Sequence, residues 1–361
     1  MLFRSAITLA QLRKVKEQIE RRCKAEGWRA WNPKENRLER RPLKPEQVTL
    51  YVVCDKVIKP ATEAKKTSFV ELVAFAPQPP KWFVSHWWGE PVFDFIACLE
   101  VHSEDHQYEE RVMTQKVGEP WRREWTGEWK TLVGCAYWVC AYANNQWNVE
   151  GELSDDPAQS SFRKALELAE GTVSILDRGG VVFSRVWCCY EIYVSLDEMR
   201  GRLKYEAYTA HEHTLNKPNE ERLAAGFTDG LAEGDIDPSG NPSTKSKSRR
   251  EQHFPIELAT HSFGTELQKA EASMPEDRNR ILNTISGRAP AELLEPAPAA
   301  HAAYDGLNAK LRGRFGAATL VALLKAGESI DVCLELIKNS RINKLVLNFE
   351  SVKDLPSFDE A

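Results

Sequence analysis

Two apolar periods alternate along this chain. Near the start, Leu9, Leu12, Val15, Ile19 and Cys23 recur every three or four residues, the spacing of one helix face. Thr8 and Gln11 precede that face with capping-box spacing, and Gly27 supplies a stop. A Pro- and Arg-rich connection from Asn32 to Pro45 leads to an apolar stretch, Val48 to Val57, and to a predicted helix from Ser68 to Phe75. Pro77, Pro79 and Pro80 then mark a boundary.

From Lys81 the pattern changes. Lys81–His86 reads as a buried strand, Trp87–Pro91 as a turn, and Phe93, Ile96, Ala97 and Val101 as the apolar face of a helix. A polar, aromatic-rich insertion covers Ser103 to Lys130. Cys135–Tyr142 is a second predicted strand, followed by a long loop to Gln159. Asp156-Pro157 signals a helix that Gly171 should stop. Thr172–Asp177 is a third predicted strand. Ser184 is placed to cap a helix running to about Met199, and Leu203–Thr209 gives a fourth strand. Strands alternating with helices imply crossover units on a parallel sheet, whose buried strands read as continuous apolar runs. The fold class expected is therefore α/β, a flavodoxin-like parallel sheet flanked by helices, with helical N- and C-terminal extensions. Ligands bind such sheets beyond the carboxyl ends of the strands. Ser85–Glu90, Ala143–Asp156 and Asp177–Ser184 should then share one rim.

The remainder reads differently. Thr228–His253 is rich in Gly, Ser, Asp and Lys and carries Lys245, Lys247, Arg249 and Arg250, the composition of a mobile linker. Pro275–Ile285 is helical by pattern, Ala289–Ala300 is an Ala/Pro-rich link, and Gly316–Leu324 with Ile330–Ile337 reads as a helical pair. Ile342, Leu345 and Leu347 have the spacing of one leucine-rich repeat strand, too little for an array. The expected division is a helical segment over 1–75, an α/β domain over 76–215, a linker or flexible insertion over 216–255 and a mostly helical segment over 256–361.

Composition adds four constraints. All eleven tryptophans of the 361 residues lie between Trp28 and Trp187, so the two halves are built differently. The net charge of −5 speaks against a basic nucleic-acid binder, although residues 1–45 carry a local +8, read as a solvated helix face. No apolar stretch approaches the ~20 residues that span a bilayer, and the start lacks a secretory signal, so no membrane span and a cytoplasmic location are expected. Most of the eight cysteines sit in apolar runs without CxxC pairs, the pattern of buried free thiols.

The sharpest motif is Ser184-Arg-Val-Trp187-Cys188-Cys-Tyr-Glu191. On one continuous helix, Ser184, Trp187, Cys188 and Glu191 would share a face, with Ser184 near the ligand rim. A carboxylate flanked by Trp187 and Cys188 would be partly desolvated, which raises its pKa. Ser-x-x-Trp-Cys-x-x-Glu after a strand resembles the signature of TIR (Toll/interleukin-1 receptor) domains. Phe83-Val84-Ser85 resembles their opening strand, and the order of elements fits over about residues 80–210. The Ser103–Lys130 insertion, His86-Trp87-Trp88 at the first turn and the missing acidic residue in the second strand depart from that pattern.

The resemblance implies Glu191 as the catalytic carboxylate of an NAD-cleaving enzyme, with NAD or a related nucleotide as substrate and no cofactor. Cleaving the ribose–nicotinamide bond builds oxocarbenium character, which a fixed carboxylate stabilises. Trp87, Trp88 and Trp187 are candidates for the aromatic wall, with Ser85 and His86 as polar contacts and Asp177, Ser184 and Cys188 completing the expected substrate site. The alternative is a non-catalytic signalling module that self-associates or binds a TIR-like partner. There Trp187 and Cys188 simply pack the helix on the sheet, and Glu191 is a helix-surface charge or a partner for Arg185. No metal is expected: His102 and His106 lie one helical turn apart but lack a visible third ligand, and the bland reading is a solvated loop. His211-Glu-His213 is weaker. Gly179-Gly180 is a turn, and no phosphate-loop or Gly-x-Ser-x-Gly pattern occurs.

Overall fold

A computed structural model describes residues 6–325, apart from 33–34, 117–118, 211–223, 252, 256–257, 259–264 and 273. His211, His213, Ile330–Ile337 and the 342–347 repeat spacing lie outside the described residues.

β1 (Trp31–Asn32) and β2 (Arg37–Leu38) form a small hairpin. The central sheet holds β3 (Trp82–Ser85), β6 (Tyr137–Trp138), β7 (Gly171–Ile175), β8 (Lys204–Thr209) and β9 (Ala225–Phe227), in the order β6-β3-β7-β8-β9. The first four run parallel and β9 pairs antiparallel with β8. Counted along the chain this is a 2-1-3-4-5 order, one of the two common doubly wound arrangements. Between them, β4 (Glu109–Lys116) and β5 (Glu119–Thr131) make a separate antiparallel hairpin, which is what the 103–130 insertion forms beyond its helical start.

Side chains alternate across the strands, and each face has its own apolar core. Trp82, Val84, Tyr137, Val173, Ile175 and Tyr208 face one core; the helices Leu9–Glu26 and Val92–Asp105 and the helical segment 50–62 cover it. Phe83, Trp138, Tyr205 and Ala207 face the other, covered by helices Ser161–Leu168, Val186–Tyr193, Pro275–Ile285 and Ala302–Lys325. The predicted N- and C-terminal extensions are thus helical layers of the same sheet. Ile7 also bridges Tyr137, exchanging both backbone hydrogen bonds at 2.8 Å, so the first described residues close the β6 edge.

Several boundaries shift from the sequence reading. The N-terminal helix has its Thr8–Gln11 capping box and Gly27 C-cap, and Pro275–Ile285 keeps its predicted limits. The second strand shortens to Tyr137–Trp138, and Cys140–Ala143 forms a helical turn. Helix Ser161–Leu168 is capped by Ser160 and ends before Gly171, which opens β7 instead of stopping a helix. There a side chain has no room: a Cβ on Gly171 would meet Trp82 Cζ3 at 2.4 Å and the Lys204 carbonyl oxygen at 3.0 Å. Gly171→Ala is expected to cost about 1–3 kcal/mol through overpacking. A urea midpoint equal to that of wild type would show that Trp82 can yield.

The 224–251 stretch, linker-like in composition, holds β9 and helix Thr244–Glu251. Arg250 there is buried against Asp105 and Asp235.

Candidate active site

Beyond the carboxyl end of β3 the chain turns through His86, Trp87 and Trp88, and the helix Val186–Tyr193 brings Glu191 beside them. The helix begins later than its motif suggests. Val181–Ser184 is a 3-10 turn, Arg185 is extended, and the backbone of Ser184 accepts from Glu271 N at 2.8 Å. That break puts Ser184 outside the helix. Its hydroxyl is exposed and donates to the Val181 carbonyl instead of capping.

Glu191 is 4% exposed and lines a cavity of about 540 Å³ together with His86, Trp87, Trp88, Trp187 and Cys188. Removal from water pushes its carboxyl up to about 8, and the neighbouring Ser85 and Cys188 pull only weakly the other way. Neither Ser85 Oγ nor Glu191 Oε2 has a hydrogen-bond partner of full geometry. Among the described residues no Lys or Arg forms an ion pair with Glu191, so the expected alternative pairing with Arg185 does not occur.

The walls are fixed by contacts among the lining residues themselves. Trp88 donates from Nε1 to Cys140 Sγ at 3.1 Å and leans on Tyr51, with ring centres 5.5 Å apart. Trp187 donates to Asp277 at 3.0 Å and stacks on Phe162 at 5.1 Å. His86 sets its Nδ1 3.3 Å from the Val84 carbonyl, which assigns the proton to Nδ1 and leaves Nε2 as a bare acceptor. Burial lowers the His86 pKa to about 4, so the ring is neutral at pH 7. Cys188 donates from Sγ to the His86 carbonyl at 3.7 Å, which ties the two elements together. Burial holds the Cys188 thiol well above its ordinary range and pushes Cys140 up to about 12. Both are thiols at neutral pH and not nucleophiles. The seven described cysteines are all free.

No family model, curated protein or solved structure matches this chain. The site's chemistry is therefore argued from its own residues.

Of the expected site residues, His86, Trp87, Trp88, Trp187, Cys188 and Glu191 meet in one cavity. Ser85 lies behind the wall, fully buried. Asp177 lines a second cavity of about 440 Å³, which shares Trp87 and is edged by Glu90, Asp94 and Arg178. Burial, with the Asp177 and Asp94 charges, holds Glu90 well above the carboxylate range, and burial raises Asp94 to about 6. Ser184 joins neither cavity.

The sequence reading missed the other half of the wall. Tyr51 and Lys59 come from the N-terminal segment, Asn144 and Gln146 from the loop after β6, and Glu271, Met274 and Asp277 from the Trp-free C-terminal part. Only the Asn144–Gln146 loop was signalled, by the rule that ligands sit at strand ends. His102 and His106 also differ from expectation. They close the buried end of helix Val92–Asp105, each no more than 2% exposed, not a solvated loop.

Proposed function

We propose that this protein cleaves the nicotinamide–ribose bond of NAD, with Glu191 as the catalytic carboxylate. The observation that carries the reading is that Glu191 faces a cavity between Trp87, Trp88 and Trp187, with no basic partner among the described residues. The resemblance of residues 80–210 to TIR domains points the same way. The indole faces suit the flat nicotinamide ring, and Lys59 on the lining can attract pyrophosphate. In the step proposed, the C1′–N1 bond breaks and its electron pair leaves with nicotinamide. Water adds at C1′ and gives up a proton, yielding ADP-ribose. The ionised Glu191 stabilises the positive charge that builds on the ribose. A carboxyl raised to about 8 is mostly protonated in the free protein at pH 7. The cationic nicotinamide ring favours its ionisation on binding.

The test is nicotinamide release by the full chain. Glu191→Gln is expected to lower the rate by about 10²–10³-fold, the usual cost of removing one charge-stabilising group. For the wild type, kcat/KM should rise with pH and level off above about 8, because the ionised form acts. A wild type that releases no nicotinamide at high protein concentration overturns the reading. So does a variant as fast as wild type.

A further inference from the structure

We propose that His102, His106 and Glu206 hold a buried divalent metal ion, with zinc the best match to the donor set. The three residues come from two elements that the sheet brings together: the C-terminal turn of helix Val92–Asp105 with the residue after it, and β8. His102 and His106 are four residues apart, so both rings project from one face. Glu206 sits opposite them on β8. One donor atom from each residue lies within 4.8 Å of the others, and all three residues are at most 2% exposed.

The hydrogen bonds around the cluster fix which atoms face inward. His102 Nδ1 lies 2.9 Å from Tyr137 OH, and His106 Nδ1 lies 2.5 Å from Glu233 Oε2. The carboxylate can only accept, so His106 Nδ1 carries the proton, and the same tautomer of His102 donates to the Tyr137 hydroxyl. Both Nε2 atoms then lie near Glu206 Oε2, at 3.5 Å for His102 and 2.9 Å for His106. With both rings neutral, three electron-pair donors converging in a dry interior repel one another unless a metal ion sits between them or a proton is shared between His106 and Glu206. Two further atoms support this: neither His102 Nε2 nor Glu206 Oε1 has a hydrogen-bond partner.

The spacing and charge suit zinc. Ligand atoms at about 2.0–2.1 Å from a tetrahedral ion stand about 3.3 Å apart, between the two separations observed. Glu206 and Glu233 together balance a divalent charge. Glu233 on His106 and Tyr137 on His102 are outer-shell partners of the kind that fix the tautomer of metal-bound histidines. Trp82 stands edge-on to His102, with ring centres 4.5 Å apart, and walls the cluster within the apolar core. With all three ligands at most 2% exposed, the ion's role is structural, joining the helix to the sheet.

The experiment is elemental analysis of the purified full chain, followed by zinc and Co²⁺ titration of protein stripped with a chelator. About one zinc per chain is expected, with a visible tetrahedral Co²⁺ spectrum and a lower melting temperature after stripping. Glu206→Gln should abolish uptake. Glu233, whose side chain is 51% exposed, can be changed without harm to the core. Glu233→Gln should weaken zinc affinity by about 10–100-fold, which keeps the test decisive if Glu206→Gln fails to fold. A folded wild type that takes up neither metal overturns the proposal and leaves a proton shared between His106 and Glu206. Undiminished zinc binding by folded Glu206→Gln overturns it as well.

Discussion

Glu191→Gln is expected to stabilise the protein at pH 8 while lowering the proposed NAD cleavage. In the folded chain the Glu191 carboxyl is raised to about 8 by burial, against an ordinary 4.5 in the unfolded chain. The folded state therefore holds a proton that the unfolded state releases between those values. Under proton linkage, stability from this group is fully present below about pH 4.5 and is lost as pH rises towards 8. Glutamine has nearly the same shape and no proton to lose, so it escapes the loss. The two proteins should be close in stability near pH 5 and diverge by about 4 kcal/mol at pH 8, at 1.36 kcal/mol for each pKa unit. Urea midpoints of both proteins across that range check it. Parallel curves would mean that Glu191 is solvated or paired in solution, and the electrostatic role proposed for it would go too. A protein that keeps an ionisable group at such a cost is spending stability on a site, the usual signature of function over packing.

The site and the fold were legible in the sequence to different depths. Strand β3 was readable because a doubly covered strand is a continuous apolar run, as at Trp82–Ser85. Helix Leu9–Glu26 was readable because its cap and its apolar stripe are local. The triplet of Trp87, Trp88 and Trp187 around Glu191 followed from strand ends and a motif. Ser184 was misplaced because its backbone bonds to Glu271, a partner 87 residues further on that periodicity cannot see. Distance in sequence also hid Asp277 behind Trp187 and Glu206 behind His102 and His106. Composition misled at 224–251 for the opposite reason: its charges look solvated, yet the decisive one is buried against residues far earlier in the chain.

That charge carries the second large effect. Arg250 donates from Nε and Nη2 to the two carboxylate oxygens of Asp235 at 2.9 and 2.7 Å. It also donates from Nη1 to Asp105 at 3.3 Å and from Nη2 to Thr228 Oγ1 at 2.8 Å. All three charged residues are no more than 9% exposed. Arg250→Ala would leave two buried carboxylates facing each other without a cation, and removing one partner of such a set costs about 3–5 kcal/mol. Arg250→Lys keeps the charge but not the two-pronged contact, so it should fall between alanine and wild type. The acid limb supplies an independent check. Burial alone would raise the Asp235 carboxyl, but Arg250 and the Ala232 N–H overcome it and hold it below the ordinary range. A depressed acid contributes stability above its unfolded pKa and loses it as pH falls through the folded one. Wild type should therefore lose stability on acidification over a range where Arg250→Ala changes less. If Arg250→Ala unfolds within about 1 kcal/mol of wild type, within the range of ordinary surface substitutions or slightly above it, then 224–251 is a surface attachment. A loss of the full size would make that stretch a working part of the sheet's covering, locked to the end of the helix that also carries His102.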